Sequence, residues 1–179
     1  MNRSLLIALV FVMGLLSVSV HAQDISLEKK QLLNKKVEIL VPAAFGEMTE
    51  ELLKLKYPSE RRPTMAYTDS SAKTNVAFNY LSTQAAQGQM EAFKQSMINS
   101  FKTSFPTAKW VSSGVKVING RKVGYLELVT PAADQEVYNL MFFTDVNGKL
   151  FLATFNCLEK ERSTWQQTAH QILNSFKVN

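Results

Sequence analysis

The chain is poor in the residues that build most recognisable sites. Among 179 residues it has one cysteine, Cys157, and two histidines, His21 and His170. A single cysteine excludes an intramolecular disulfide, so an exported form has to be held together by its core alone. One of the histidines lies in a segment expected to be removed, and a histidine-based zinc site needs more ligands than remain. No GxSxG, HExxH, P-loop or GxGxxG pattern occurs, so the hydrolase, metalloprotease and nucleotide-binding signatures are missing. No internal repeat or low-complexity segment occurs either. Charge is not one-sided: 20 basic against 15 acidic residues leave a net +5. The pairs Lys29-Lys30, Lys35-Lys36 and Arg61-Arg62 are scattered among acids, which describes a solvated surface and not a nucleic-acid footprint. The composition points to no cofactor and no metal.

The one long apolar run is Leu5 to Val18, broken only by Gly14 and Ser17. Arg3 precedes it, and Val20-His21-Ala22 follows with residues a signal peptidase accepts. This order predicts a signal peptide over residues 1–22, cleaved after Ala22. A spanning helix needs about 20 apolar residues, more than this run supplies. No cysteine follows it to carry a lipid. The expected plan is therefore a removed leader, a polar lead-in segment or short helix over 23–35, and one α+β domain over 36–179. The product is expected to be exported, either periplasmic or secreted, with no transmembrane segment in the mature chain.

Within the domain, KVEILV over 36–41 alternates as a strand. Thr49 to Tyr57 reads as a short helix, with Thr49 as its N-cap and Glu50 and Glu51 at the positive end of its dipole. Strands are predicted over 64–68 and 74–81, with Val76, Phe78 and Tyr80 on one face. Met90, Phe93, Met97 and Phe101 make an apolar stripe on a helix over 89–104. A meander follows, with strands over 108–113 and 115–118, Gly114 as a candidate bulge, and returns over 122–129, 136–144 and 149–157. Asn119-Gly120 and Asn147-Gly148 mark its hairpins. The strands over 136–144 and 149–157 are apolar on both faces and so need cover on both sides. A last helix over 163–176 carries Trp165, Ala169, Ile172, Leu173 and Phe176 on one stripe, which leaves His170 pointing sideways or outward. The fold class is α+β: a mostly antiparallel sheet of about six strands with helices on both faces, an α/β/α sandwich.

The order of these elements, together with Pro42, Phe45, Met48, Lys56-Tyr57-Pro58, Arg62-Pro63, Asn119-Gly120, Trp165, Ser175 and Phe176, resembles the PsbP-like superfamily. Its DcrB-like exported bacterial proteins are the nearest in pattern. The resemblance covers nearly the whole mature chain and lies in order and spacing. It implies the PsbP-like sandwich. It also implies binding or accessory work, since members of that superfamily include an extrinsic photosystem II subunit, a Ran-binding nuclear protein and chaperones of secreted toxins. It carries over no catalytic residue.

No catalytic constellation emerges from the residues. A Cys157–His170 dyad lacks a third orienting residue and has His170 off the buried stripe. Glu50-Glu51 and Glu159 with Glu161 fall at helix starts or turns, where capping and solvation account for them. The expectation is a non-catalytic binding or accessory protein of the cell envelope, with a protein or envelope complex as partner and peripheral membrane contact as a further possibility. The alternative is a small-ligand-binding protein or a hydrolase with an unrecognised site. The candidate partner-binding loop is Tyr57, Arg61, Arg62 and Tyr67: a basic tip that pairs with anions, flanked by two flat aromatic surfaces.

Overall fold

The computed structural model describes residues 25–59 and 62–179. The expected leader over 1–22 lies outside them. The elements are β1 (Leu27–Leu32), β2 (Val37–Pro42), β3 (Gly46–Glu47), α1 (Glu50–Lys56), β4 (Met65–Thr68), β5 (Asn75–Gln84), α2 (Met90–Ser104), β6 (Lys109–Ile118), β7 (Arg121–Pro131), β8 (Glu136–Val146), β9 (Lys149–Leu158), α3 (Arg162–Ser175) and β10 (Lys177–Val178). Seven strands form one antiparallel sheet in the order β3-β4-β5-β9-β8-β7-β6, and β1-β2-β10 form a second, smaller one.

Alternation along the central strands decides what packs where. Tyr138, Leu140 and Phe142 of β8 and Phe151, Phe155 and Cys157 of β9 face α3 and the small sheet. Leu126 and Leu128 of β7 and Phe143 of β8 face α2, where Met90, Phe93, Met97 and Phe101 meet them. Ala66 and Ala77 share that second side with α1, whose Leu52, Leu53 and Tyr57 cover them. The sheet is thus covered on both faces, in the sandwich expected from the sequence, with seven strands where about six are predicted.

The hairpins form as their residues dictate. Asn119 and Gly120 have φ of 46° and 81°, and Asn147 and Gly148 have 50° and 73°. Two consecutive left-handed residues match the twist of the flanking strands. Thr49 caps α1, its Oγ1 accepting from the Leu52 N–H at 3.2 Å.

Two readings need correction. The polar segment over 23–35 holds a strand, β1 (Leu27–Leu32), and no helix among its described residues. It pairs antiparallel with β2 from Leu27↔Pro42 to Leu32↔Val37, and its charged residues face water along a sheet edge, which hides any apolar period. The irregularity in β6 falls between Trp110 and Ser112 and not at Gly114. Gly114 instead lies under a ring: a Cβ there would come within 3.1 Å of Tyr125 Cε1.

The residues that carry the superfamily resemblance tie the layers together. Trp165 of α3 sits between Phe45 and Phe155, at ring-centroid distances of 5.5 and 5.8 Å. Ser175 Oγ accepts from the Leu40 N–H of β2 at 2.9 Å. Asn119 donates to the Phe176 carbonyl at 2.8 Å, and the Phe176 ring stacks on Phe151 at 5.5 Å.

Candidate functional site

Two polar features stand out, one on each face of the large sheet. The first is built round Glu127 of β7. It lies in phase with Val123, Tyr125 and Val129, so the strand alternation turns its carboxylate into the α3 side, where the side chain is 3% exposed. Its Oε2 accepts from Ser112 Oγ of β6 at 2.6 Å. Its Oε1 accepts from Tyr138 OH of β8 at 2.7 Å and from Gln166 Nε2 of α3 at 2.7 Å. His170 Nε2, one helical turn on, stands 3.3 Å from the same oxygen. Burial pushes the Glu127 carboxyl upward, but the Ser112, Tyr138 and Gln166 donors and the nearby His170 outweigh it and hold the group below the usual carboxylate range. A buried carboxylate accepting several hydrogen bonds is stabilised in its charged form.

The hydrogen bonds of this cluster join β6, β7, β8 and α3. Burial and the bond to Glu127 raise the Tyr138 phenol, so it stays a donor. The Arg162 guanidinium lies over its ring at 5.1 Å. Burial, with Glu161 and Glu159 adding to it, pushes the nearby Cys157 thiol up to about 12. At neutral pH it is therefore a thiol, without the thiolate that nucleophilic attack or metal ligation requires. Glu127 stands between Ser112 and His170, which inverts the order in which a histidine would activate a serine. The sequence does signal Glu127, as the one acid in the apolar run YLELV over 125–129, and the sideways phase of His170 is its counterpart on α3.

The second feature is a groove on the α1 side, across the end of the sheet. Its first part is a cleft of about 600 Å³ with Leu52, Leu55 and Tyr57 along one wall and Val137, Asn156 and Leu158 on the floor. A second hollow of about 490 Å³ shares Gln135 and Leu158 with it and continues past Asp134, Glu136 and Glu159. Leu55 is 79% exposed. The floor has a polar seam because Asn75, Asn156 and Asn139 are register neighbours on β5, β9 and β8. Tyr57 OH donates to Asn75 Oδ1 at 2.9 Å, and burial raises its phenol against an opposing contact with Asn156. Asn75 Nδ2 is buried with no partner. Lys56 is held against the Ala72 carbonyl.

Two residues of the expected partner-binding loop, Tyr57 and Tyr67, fall on opposite faces of the sheet. Tyr57 closes α1 on the groove side and packs with Ala66 and Ala77. Tyr67 is buried on the opposite face, edge-on to Phe78 at 6.3 Å, with Lys30 over its ring. A strand residue cannot face both sides, and β4 turns Tyr67 inward. Arg62 is half-buried ahead of Pro63, and Arg61 lies outside the described residues. Of the three that are described, only Tyr57 lines the groove. Among the described residues no cluster of histidine, cysteine, aspartate and glutamate is placed to hold a metal, and no helix is long and apolar enough to cross a membrane.

A seven-stranded antiparallel sheet with two helices on one face and a helix plus a small sheet on the other has clear relatives among solved structures. The PsbP protein CyanoP from Synechocystis superimposes with a TM-score of 0.62 at 15% identity, over 93% of this chain and 100% of that one. LpqN of Mycobacterium tuberculosis, described as involved in cell envelope biogenesis, gives 0.55 at 12% identity, over 88% of this chain and 92% of its own. A protein from Bacteroides thetaiotaomicron gives 0.55 at 8% identity, with 84% of this chain matching 48% of that one. The fold is the PsbP-like α+β sandwich of CyanoP, as the sequence resemblance implies. No protein-family model matches the chain, and no curated protein sequence does. At these identities the likeness fixes the fold and leaves function to the site.

Proposed function

We propose that this protein is an exported, non-catalytic accessory protein of the cell envelope that binds a protein partner in the groove beside α1. The observation that carries the reading is the groove itself. It is open, walled by Leu52, Leu55 and Tyr57 and floored by Val137, Asn156 and Leu158, an apolar lining with a few polar groups, which is the make-up of a binding site. Leu55, at 79% exposure, gains nothing for the fold by being apolar. An exposed leucine beside such a groove is the kind of anchor that partner binding buries. The non-catalytic part rests on the chemistry of the other cluster: a protonated Cys157 and a Glu127 whose oxygens are already committed to donors. Export is supported by the leader-like residues 1–22 and fits the description of LpqN as an envelope-biogenesis protein.

The test combines location and contact. Cell fractionation should find the mature protein outside the cytoplasm, shortened by the leader, while a chain lacking residues 1–22 should remain inside. A photo-crosslinker replacing Leu55 should give a discrete adduct in native envelopes, and the same group at Ser163, on the exposed start of α3, should not. A full-length cytoplasmic protein would refute the export reading. Equal crosslinking from both positions would refute the groove as the contact site.

A further inference from the structure

The two parts of the groove carry opposite charge, and this says what its occupant looks like. Among the described residues, the ionisable side chains lining the α1 part other than Tyr57 and Cys157 are Lys56 and Lys73, with no acid among them. Lys56 is turned to the Ala72 carbonyl, and Asp69 nearby is engaged by Ser71 and by the Lys73 and Thr74 N–H groups. Among the described residues lining that end, Lys73 is the exposed cation. The far part has Asp134, Glu136 and Glu159 against Lys160. Glu136 is answered by Lys109 at 2.7 Å, and Glu159 Oε1 meets Arg162 only at 3.5 Å. Glu159 Oε2 is buried with no partner, and Asp134 is exposed. The carboxylates of Asp134 and Glu159 favour a cationic group at this end. Leu158 is shared by the two parts, and Leu55 and Val137 line the α1 part.

We propose that the groove binds an extended segment of a partner protein that is acidic where it meets Lys73, apolar over Leu55 and Leu158, and basic where it meets Asp134 and Glu159. The inference rests on the groove being the binding site and adds the chemistry of what fills it. A peptide fits better than a lipid chain. The groove is long, open and polar at both ends, whereas the nearly all-apolar hollow on the opposite face, bounded by Leu32, Met65, Phe78 and Phe151, holds about 40 Å³. Ligand cavities run to about 300 Å³ or more.

The experiment uses fluorescence anisotropy of the purified protein with three labelled peptides sharing a leucine-serine centre. One has an aspartate pair at one end and a lysine pair at the other, one is acidic at both ends, and one is basic at both ends. The mixed peptide should bind best. Lys73→Glu and Asp134→Lys, both at exposed positions, should each weaken it about tenfold, the range expected when a rim attraction becomes a repulsion. The double variant should recover it, because the exchanged charges accept the same peptide in the reverse direction. Glu159→Gln should weaken the mixed and all-basic peptides and leave the all-acidic one unweakened or slightly tighter. Equal binding of all three peptides, or no recovery in the double variant, overturns the proposal. So does displacement of the mixed peptide by phosphatidylcholine vesicles, which would make the occupant a zwitterionic headgroup. A Leu55 crosslink in envelopes with no preference among the peptides would leave the groove as the site and reject only this account of its ligand.

Discussion

Replacing Glu127 by glutamine tests whether the buried carboxylate stabilises the fold, and the structure sets the size of the effect. The amide is nearly isosteric, so packing is preserved. Ser112 donates to Oε2 alone, and its hydroxyl can rotate to accept from an amide N–H. The amide nitrogen therefore settles on that side. Tyr138 and Gln166 keep an oxygen acceptor on the other side, but a neutral one. Charge-assisted bonds are roughly twice as strong as neutral ones. Three such exchanges, at about 1 kcal/mol each, are partly offset because a buried charge no longer has to be desolvated. The net loss is about 1–2 kcal/mol at pH 7, or about 3–6 °C in Tm for a chain of this size. The pH dependence is the sharper signature. Glu127 has a folded pKa below its unfolded value, so its contribution is complete above about pH 4.3, the unfolded value, and disappears as pH falls through the folded one. Urea unfolding followed by the fluorescence of Trp165, which is packed between Phe45 and Phe155, should show wild type and Glu127→Gln converging as pH drops through that window. A variant as stable as wild type at pH 7, with a parallel pH profile, would refute the account of the cluster.

Two further outcomes follow from the core. Gly124→Ala should cost about 1–3 kcal/mol by the same urea assay, the usual penalty for overpacking, because the new Cβ would lie 2.2 Å from Phe143 Cζ; a neutral substitution would mean that Phe143 does not lie across Gly124. Cys157 is 1% exposed, with its thiol pushed up to about 12, so iodoacetamide should leave it unmodified in the native protein and alkylate it in urea, and rapid native labelling would contradict its burial.

Most of the sandwich is legible in the sequence because strong local signals agree with the global packing. The Asn-Gly pairs need left-handed backbone and receive it. The doubly apolar strands 136–144 and 149–157 end in the middle of the sheet, under helices on both sides. The Met90–Phe101 stripe packs on Leu126, Leu128 and Phe143. What escapes is structure imposed by partners. LEKKQL in β1 has no apolar period and is a strand because β2 offers it an edge. Tyr67 lies in a predicted strand, but the face it takes depends on the phase of β4, which is set by Met65↔Phe78 across the strands. The groove is the extreme case. Lys73, Asp134 and Leu55 are far apart in sequence, and only the meeting of α1, the turn before β5 and the turn before β8 at one end of the sheet makes them neighbours.

The residues behind the superfamily likeness and the residues that line the groove are largely different sets. Phe45, Trp165, Ser175, Phe176 and Asn119 join α3 to the sheet and to β2 through ring contacts and hydrogen bonds. Their loss removes buried contacts, so substitutions there act on stability. Leu55, Lys73, Asp134 and Glu159 belong to the groove and do not carry the likeness. Leu55 and Lys73 stand on the surface, where a change costs the fold little and alters what can dock. A fold maintained by one set of residues leaves the other free to change, and a shared sandwich can then serve unrelated partners. Tyr57 is the exception. It carries the likeness, lines the groove and bonds to Asn75. Tyr57→Phe should therefore reduce stability through the orphaned Asn75 oxygen while leaving the charge preference of the groove unchanged, which separates the two roles in one residue.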